Sequence, residues 1–492
     1  MVILRYQQVE RWIRQRIQDR RWLPGERLPS IRVLCQQLDV SKITVQHALQ
    51  RLEAQRLVIA RPRSGYFVSD EISEQSVEPG TSQVSPLSEP APVSVHSLLL
   101  DVMARGAAFD LCPPSISLEP RVMASADGCE RDTGVTQLNR NLGRALRRQQ
   151  NQHHHYYDQP AGEQSLRFQI CERYRRRSTV LGVDEICISN GCQHSLFLAL
   201  MAVCQAGDVV AVESPGFYGV LQLLEQLRIK VVEIPVKPSQ GLDMQVLEQT
   251  VTRWPVKAVM VTPAYATPIG ALLTSDARQR LILLANQHDL AIIEDDIYAE
   301  TAFGALDSAL GEEQPAPVKS LDTQNRVILC GSYSKCLSKD LRLGWVAGGR
   351  WHQQIQRLKL VSQLASSRSH QIGLADFIED GGLVRHLKRY RQKLRSQRDQ
   401  LIRLLKPWPL EPLYLPDGGL TLWLSLPESI DALHLYRLAL ASGVVIVPGP
   451  LFSASGQYRN CVRLSYAHPW TPERQGGLKV LLQIVERELE RL

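Results

Sequence analysis

Seven short apolar runs, each four to seven residues long, alternate with amphipathic stretches between residues 186 and 348. Apolar runs of this length indicate strands that are buried on both faces. The amphipathic stretches, such as residues 192–204 and 274–287, indicate helices that cover the sheet. The alternation predicts an α/β domain with a mainly parallel sheet, in which ligands bind at the carboxyl ends of the strands. The predicted strands are residues 186–189, 208–212, 230–234, 257–262, 290–295, 326–331 and 342–348.

The pattern changes after about residue 385. A long basic helix comes first, then three short apolar runs and a final helix, which together predict a small α+β subdomain over about residues 386–492. The three apolar runs, taken as strands, are residues 421–426, 444–447 and 461–466.

A segment rich in Ser, Pro and Glu, without aromatic residues, occupies residues 71–95. Such a segment cannot bury enough apolar surface to fold, so we expect a flexible linker there. The chain is therefore predicted to consist of a head over residues 1–70, this linker, and a body over residues 96–492.

The positive charge of the chain is concentrated in the head. The first 70 residues contain 13 Lys and Arg against 6 Asp and Glu, whereas the remaining residues contain 44 of each kind. The head therefore holds the whole net charge of +7. A basic small domain on a neutral body indicates that the head alone binds a polyanion.

Composition argues against a membrane, secreted or metal-binding protein. No stretch approaches the roughly 20 apolar residues that a membrane span needs. The N-terminus lacks the apolar core of a secretion signal, so we expect a cytoplasmic protein. The ten cysteines form no C-x-x-C pair, and we expect them to be reduced. The run His153-His154-His155 lacks nearby ligands at useful spacing, which favours a solvated loop over a metal site.

The head contains the successive signals of a winged helix. An amphipathic helix over residues 6–20 precedes the turn PGERLPS, in which Ser30 can cap the next helix. SIRVLCQQLDV and SKITVQHALQRLEAQRL predict two helices joined by a tight turn, and VIARPRSGYFV predicts two strands around a basic turn. In winged helices the second helix of the pair enters the major groove of DNA. Its predicted buried face comprises Ile43, Val45, Ala48, Leu49 and Leu52.

The head resembles the GntR family of winged-helix regulators over about residues 3–69. PGERLPSIR and TVQHALQRLEAQRLVIARPRSGYFV carry the resemblance, which implies double-stranded DNA as the partner. A helical interaction domain with a solvated basic face would share the charge but not this order of turn, helix and wing. The resemblance implies that the residues facing DNA are Arg32, Ser41, Lys42, Thr44 and Gln46, with Arg61, Arg63 and Gly65 on the wing.

The strongest chemical signal in the body is GSYSKCLSKDLRLGW, which contains Lys335 at the end of a predicted strand. A lysine attacks an aldehyde only when neutral, and a cationic pocket lowers its pKa. Hydroxyl and guanidinium groups beside it suit a phosphate dianion. Pyridoxal phosphate needs both features. Lys339 is the competing lysine, but it lacks an adjacent serine pair and is expected to be exposed. The candidate phosphate ligands are Ser332, Ser334 and Arg342.

Two further strand ends carry suitable groups. In IIEDDIY, a carboxylate can hold the proton of the pyridine nitrogen and Tyr298 can donate to the phenolic oxygen. Asp295 is the candidate carboxylate, with Asp296 and Glu294 as alternatives that the pattern alone does not separate. In SNGCQHSL a strand ends at a tight turn and a helix begins, so free N–H groups can bind an anion; a plain strand–helix turn is the alternative. The candidate phosphate contacts there are Gly191, Cys192 and Gln193.

These elements resemble the fold-type I aminotransferases, which depend on pyridoxal phosphate, over about residues 105–490. YYDQPAGEQSLR, ESPGFYG, TPAYATPIG and VRLSYA carry further parts of the resemblance. It implies that Lys335 is the Schiff-base lysine, that Phe217 stacks on the pyridine ring, and that Arg463 grips a ligand carboxylate. Tyr157 would reach the phosphate in the neighbouring subunit of a homodimer. The enzymes have Asn where Thr267 stands, which weakens the case for efficient catalysis.

Head, linker and body in this order resemble the MocR subfamily of GntR regulators. The resemblance implies a transcription regulator whose body binds pyridoxal phosphate, or an amino compound that reacts with it, and forms a homodimer. Two alternatives remain at this point. One is an active aminotransferase with an accessory DNA-binding head, and the other is a DNA-binding protein with a body that binds no cofactor.

Overall fold

The computed structural model divides into two compact units, residues 1–83 and 84–492. In the first unit the structure describes residues 27–38, 40–54, 57–61 and 65–68, together with Val9, Trp12, Ile13, Arg16 and Trp22. In the second it describes residues 89–94, 97–105, 110–113, 133–149, 157–304, 314–409 and 414–491. Most of the predicted helix over 6–20, most of the predicted linker, Arg63 and the run His153-His154-His155 lie outside these residues.

The first unit contains the helix pair and hairpin that the sequence predicts. Ser41 caps the start of the second helix, because its Oγ accepts the N–H of Thr44 at 3.3 Å. Val45, Ala48, Leu49 and Leu52 all face the core, as predicted; the side chain of Ile43 lies outside the described residues. The elements are α1 Ile31–Leu38, α2 Lys42–Ala54, β1 Val58–Arg61 and β2 Gly65–Val68, the two strands being antiparallel.

The second unit is built on a large sheet that is mainly parallel at its centre. Its strands are β3 Ala91–Pro92, β4 Ile186–Ser189, β5 Val209–Ser214, β6 Lys230–Lys237, β7 Gly241–Leu242, β8 Val256–Val261, β11 Ala291–Asp295, β12 Val327–Ser332 and β13 Gly344–Ala347. The order is β3-β6-β5-β8-β11-β12-β13-β4, with β7 paired to β6. Strands β6, β5, β8, β11 and β12 are parallel, whereas β13, β4 and β3 pair in the antiparallel sense. The predicted α/β fold is therefore confirmed. A separate short pair consists of β9 Ala264–Ala266 and β10 Ala271–Leu272.

Helices cover both faces of this sheet. Successive strand residues point to opposite faces, so Val210 packs with Leu196 on one face while Val209 packs with Leu247 and Leu281 on the other. The helices are α3 Leu98–Ala104, α4 Thr133–Gln149, α5 Gln164–Arg175, α6 Cys192–Val203, α7 Tyr218–Gln226, α8 Met244–Arg253, α9 Ser275–His288, α10 His352–Gln363, α11 Arg368–Glu379, α12 Gly382–Leu404, α13 Ala432–Ala441 and α14 Pro472–Glu490.

The C-terminal part forms a small antiparallel sheet, ordered β14-β16-β15. The predicted strand over 444–447 was wrong in extent, because only Val447–Pro448 joins this sheet. Val445 instead exchanges backbone hydrogen bonds with Leu111 and Cys112, so an earlier segment of the chain buries this apolar run. Helix α13 was not predicted. The strands are β14 Thr421–Ser425, β15 Val447–Pro448 and β16 Cys461–Ser465.

Within the described ranges, no helix has the length and apolar character needed to cross a membrane. The same part of the chain contains no group of three or more His, Cys, Asp or Glu side chains arranged to hold a metal ion.

Candidate functional site

Lys335 lies at the edge of the sheet where the parallel strands end. Strands β11 and β12 are neighbours, with Asp295 opposite Cys330, so Asp295 and the segment that follows β12 emerge at the same edge. The side chain of Lys335 is half-buried, and Lys339 is exposed as the sequence predicts. Burial lowers the pKa of Lys335, and the positive charge of Arg463 lowers it further. Both effects favour the neutral amine that attack on an aldehyde requires.

The three acids at the end of β11 have different surroundings. Asp295 is buried, accepts the N–H of Ile297 at 3.2 Å and the thiol of Cys192 at 3.1 Å, and lines a cavity together with Phe217. Burial raises its pKa to about 6. Glu294 accepts hydrogen bonds from the backbone N–H groups of Val318 and Lys319. Asp296 forms an ion pair with Arg177. Asp295 is thus the acid that lies beside the expected ring-stacking residue.

Asp296 belongs to a buried ion pair behind the site. Arg177 binds both of its carboxylate oxygens, at 2.5 and 2.8 Å, and the hydroxyl of Tyr174 donates to it at 3.0 Å. Both partners are at most 6% exposed. The pair fixes the residue next to Asp295 and so restricts the direction in which Asp295 points. No motif in the sequence linked Arg177 to Asp296.

We expect Arg177→Met to lower the free energy of unfolding by about 3–5 kcal/mol, because it leaves a buried carboxylate without its cation. Urea denaturation followed by tryptophan fluorescence measures this change. Arg350→Met is the matched control, since Arg350 pairs with the exposed Asp289 and its loss should cost less than about 1 kcal/mol. Equal losses for the two variants would contradict the role given to the buried pair.

The start of helix α6 forms a cradle beside Arg342. Gly191 precedes the helix at a φ of 91°. A Cβ atom on Gly191 would lie 2.9 Å from Nη2 of Arg342, so only glycine leaves this space open. Arg342 donates to the carbonyl of Asn190 at 3.2 Å. The N–H groups of the first helical turn, which includes Cys192 and Gln193, and one guanidinium therefore converge, as an anion site requires.

The side chains of Gln193 and of the two serines have defined partners. Gln193 Nε2 donates to the carbonyl of Gly219 at 2.8 Å, which ties α6 to the Phe217 segment. Ser332 donates to the carbonyl of Leu343 at 2.8 Å, and its Oγ lies 2.8 Å from that of Ser334. A ligand contact by the Ser332 hydrogen would break the bond to Leu343. Ser334, which is half-buried, is the better placed of the two.

Phe217 and Tyr298 flank the same region, whereas Thr267 is held by the small subdomain. A Cβ atom on Gly219 would lie 2.4 Å from the Phe217 ring, so Gly219 makes room for that ring. Tyr298 is buried, and burial raises its pKa, which keeps its hydroxyl protonated as a donor. Thr267 Oγ1 lies 3.4 Å from the hydroxyl of Thr421.

Arg463 lies in the middle of β16 and already contacts a carboxylate of the chain. Asp110 lies 3.5 Å from Arg463 and 3.2 Å from Arg474, and it accepts the N–H of Ser465 at 2.6 Å. Burial raises the pKa of Asp110, although both arginines oppose that effect. Sequence patterns did not point to Asp110. Tyr157, by contrast, lies on the surface and is 78% exposed.

In the head, the expected DNA-facing positions lie at the surface. Arg32, Ser41, Lys42 and Gln46 are exposed, Thr44 is half-buried, and Gly65 is exposed on the wing. Ser41 also caps α2, so its hydroxyl serves the helix itself. The side chain of Arg61 and the whole of Arg63 lie outside the described residues.

Comparison with known proteins gives matches to both units. Residues 132–475 match the family model of class I and II aminotransferases, and residues 5–68 match the model of the bacterial GntR regulatory proteins. The HTH-type transcriptional regulator YjiR of Escherichia coli strain K12 is 36% identical over 99% of this chain and 100% of its own length.

Solved aminotransferase structures share the fold of the second unit. The multiple substrate aminotransferase of Thermococcus profundus has a TM-score of 0.66 at 24% identity, covering 73% of this chain and 89% of its own. The α-aminoadipate aminotransferase LysN of Thermus thermophilus, complexed with N-(5'-phosphopyridoxyl)-L-leucine, has a TM-score of 0.65 at 25% identity. Its match covers 73% of this chain and 90% of that enzyme.

Proposed function

Because the chain belongs to the MocR-type transcriptional regulators, with a GntR head and a class I and II aminotransferase body, we propose that this body senses pyridoxal phosphate or an amine that reacts with it. One observation carries the proposal: a half-buried lysine, a buried carboxylate and an arginine beside a helix N-terminus lie together at one end of the sheet. We further propose that the head binds DNA and that the protein acts in the cytoplasm.

The residues present fit this cofactor. Gly191 and Arg342 offer an anion cradle, and Asp295 offers a buried carboxylate to hold the proton of the ring nitrogen. Phe217 offers a ring face and Tyr298 a protonated hydroxyl for the phenolic oxygen. The cofactor, when bound, supplies an aldehyde for which Lys335 and a ligand amine compete.

Arg463 suits a ligand that carries a carboxylate as well as an amine. The single carboxylate of Asp110 faces both Arg463 and Arg474, so two guanidinium groups meet one negative charge. The planar fork of an arginine matches a carboxylate in a bidentate geometry. Arg463 also acts electrostatically on Lys335, which supports recognition of an amine and a carboxylate at one site. We therefore propose an amino acid or a related amine as the effector.

A homodimer is the assembly that gives Tyr157 a role. Tyr157 lies three residues before an anchored part of the chain, in which Lys359 donates to the carbonyl of Pro160 and the backbone N–H of Ile188 donates to that of Ala161. An exposed tyrosine next to this anchored segment suits contact with the phosphate in a second copy of the chain. Two heads on one dimer would read paired half-sites on DNA.

We expect Lys42→Ala to weaken DNA binding and to reduce the slope of log affinity against log salt by about one, because one phosphate contact is lost. Lys42 is exposed at the first position of α2. Fluorescence anisotropy with double-stranded DNA selected from random sequence measures the slope. Arg176→Ala, an exposed arginine of the body, should leave it unchanged. If the slope of log affinity against log salt is unchanged in Lys42→Ala, Lys42 does not contact a phosphate of the DNA.

Titration of the full-length protein with pyridoxal phosphate, followed by a panel of amino acids, tests the sensing site. We expect a visible absorption band on addition of the cofactor and a shift of that band with an effective amine. A protein that stays colourless would contradict the proposed sensor. Rapid conversion of the cofactor to its amine form would instead indicate an aminotransferase.

A further inference from the structure

Two neighbouring carbonyl groups at Lys335 are bound by side chains of helix α12. The hydroxyl of Tyr390 donates to the carbonyl of Lys335 at 2.8 Å. The ring of His386, through Nε2, donates to the carbonyl of Cys336 at 2.7 Å. These two side chains lie one helical turn apart, and their rings stack with centroids 5.8 Å apart and an interplanar angle of 13°. The helix therefore holds the backbone of Lys335 through a paired contact.

Lys335 lies in a tight turn whose carbonyl groups at residues 335 and 336 face helix α12. The N–H groups of Cys336, Leu337 and Ser338 all bond to the carbonyl of Tyr333, at 2.9–3.3 Å. The N–H groups of the tight turn are thus bound by the carbonyl of Tyr333. Its carbonyl groups at Lys335 and Cys336 are bound by side chains of α12, so a movement of α12 would move the backbone that bears the lysine.

The same helix also holds the segment that follows Tyr298. Arg391 donates through Nε to the backbone carbonyl of Glu300 at 2.8 Å, and through Nη2 to its carboxylate at 2.9 Å. Both partners are buried. Successive residues of α12, Tyr390 and Arg391, therefore contact the two segments that carry Lys335 and Tyr298.

The second half of α12 belongs to the small subdomain. Leu383 and Leu387 pack in the apolar cluster around Tyr333, whereas Leu394 and Leu401 pack in the cluster formed by β14 and β16. Tyr390 packs against both clusters. The backbone of the helix also accepts a hydrogen bond from the small subdomain, since Trp470 Nε1 donates to the carbonyl of Gln397 at 2.9 Å.

We propose that Tyr390 is a positioning residue for Lys335, and that its hydroxyl couples ligand occupancy at the lysine to the small subdomain. The inference rests on the proposed cofactor site. A ligand that changes the turn around Lys335 changes the Tyr390 contact. Helix α12 then transmits that change to the sheet that carries Arg463. Coupling of this kind needs a contact that differs between the two occupancy states, and the Tyr390 hydroxyl is that contact.

Tyr390→Phe removes a single oxygen atom and tests the coupling in the full-length protein. We expect binding of pyridoxal phosphate to weaken by about two- to tenfold, as for loss of one neutral hydrogen bond. Hydrogen–deuterium exchange gives the decisive readout. In the wild type, pyridoxal phosphate should slow exchange in peptides that cover residues 421–425 and 461–465. In Tyr390→Phe saturated with pyridoxal phosphate, this protection should fall by at least about half.

Tyr436→Phe is the matched control. Tyr436 is a buried tyrosine of the small subdomain, whereas Tyr390 is half-buried, and the hydroxyl of Tyr436 donates to Asp101 of helix α3 at 2.9 Å. The control should lose at least as much stability, because its hydroxyl donates to a carboxylate, and should keep the cofactor-induced protection. Full protection from exchange in Tyr390→Phe would overturn the inference. An equal loss of protection in Tyr390→Phe and Tyr436→Phe would also overturn it. A wild type that forms the visible band without any protection of the two peptides would overturn the coupling alone. A wild type without the band would overturn the proposed function as well.

Discussion

Replacing Lys335 with alanine is expected to abolish the visible absorption band that the full-length protein acquires with pyridoxal phosphate. The band depends on a covalent bond between the cofactor aldehyde and a neutral amine. Burial and the charge of Arg463 lower the pKa of Lys335, which favours the neutral form of this amine. The loss should be complete, because the covalent bond needs an amine at the position of Lys335 and alanine has none.

Lys339→Ala is the control for that experiment. Lys339 lies four residues further along the chain and is exposed, so its removal should leave the band at wild-type intensity. Absorbance titration with the cofactor and far-ultraviolet circular dichroism, the latter to verify folding, give the result. An unchanged spectrum in a folded Lys335→Ala protein would refute the assignment of the lysine.

Asp295→Asn is expected to have two opposite effects. It should weaken binding of pyridoxal phosphate by about 10- to 100-fold, because a charge-assisted hydrogen bond to the ring nitrogen is lost. In the cofactor-free protein it should raise the free energy of unfolding at neutral pH by about 1–3 kcal/mol, since it removes a buried charge. A variant that binds its ligand less well while folding more stably is the pattern expected of a functional carboxylate.

The sign of the stability effect follows from the pKa of Asp295. Burial raises it from 3.8 to about 6. Between these values the folded protein keeps a proton that the unfolded chain releases, so the stability of the wild type falls as the pH rises through that window. The variant lacks this contribution of Asp295 to the fall. Urea titrations of both proteins at pH 4 and pH 7.5 measure the difference, with the exposed Asp289→Asn as control. A larger difference in the free energy of unfolding between Asp295→Asn and the wild type at pH 4 than at pH 7.5 would contradict the pKa shift.

The sequence predicted those features that depend on local pattern. Strands β4 and β5 were recognisable because continuous apolar runs between helices indicate burial on both faces. The turn containing Lys335 was recognisable because serines and an arginine accompany the lysine. The predicted strand at 444–447 was wrong in extent because an apolar run can also be buried by a loop, here the one containing Leu111. Pattern alone reports that residues are buried but not which neighbour buries them.

Contacts between distant segments were beyond prediction. Arg177 and Asp296 lie 119 residues apart in the chain, Asp110 and Arg474 lie 364 apart, and Tyr390 lies 55 from Lys335. None of these pairs has a spacing that a sequence motif records. The choice of Asp295 over Asp296 and Glu294 needed the same information, because it depends on where each carboxylate finds its partners.

The measurement that tests the central claim most directly is the DNA affinity of the full-length protein with and without an amine effector. Anisotropy is recorded with selected double-stranded DNA, in the presence of pyridoxal phosphate, across a panel of amino acids, for the wild type and Lys335→Ala. Sensing through Lys335 predicts that at least one amino acid changes the wild-type affinity by about fivefold or more, and that Lys335→Ala does not respond. An equal response in both proteins, or none in the wild type across the panel, would contradict it.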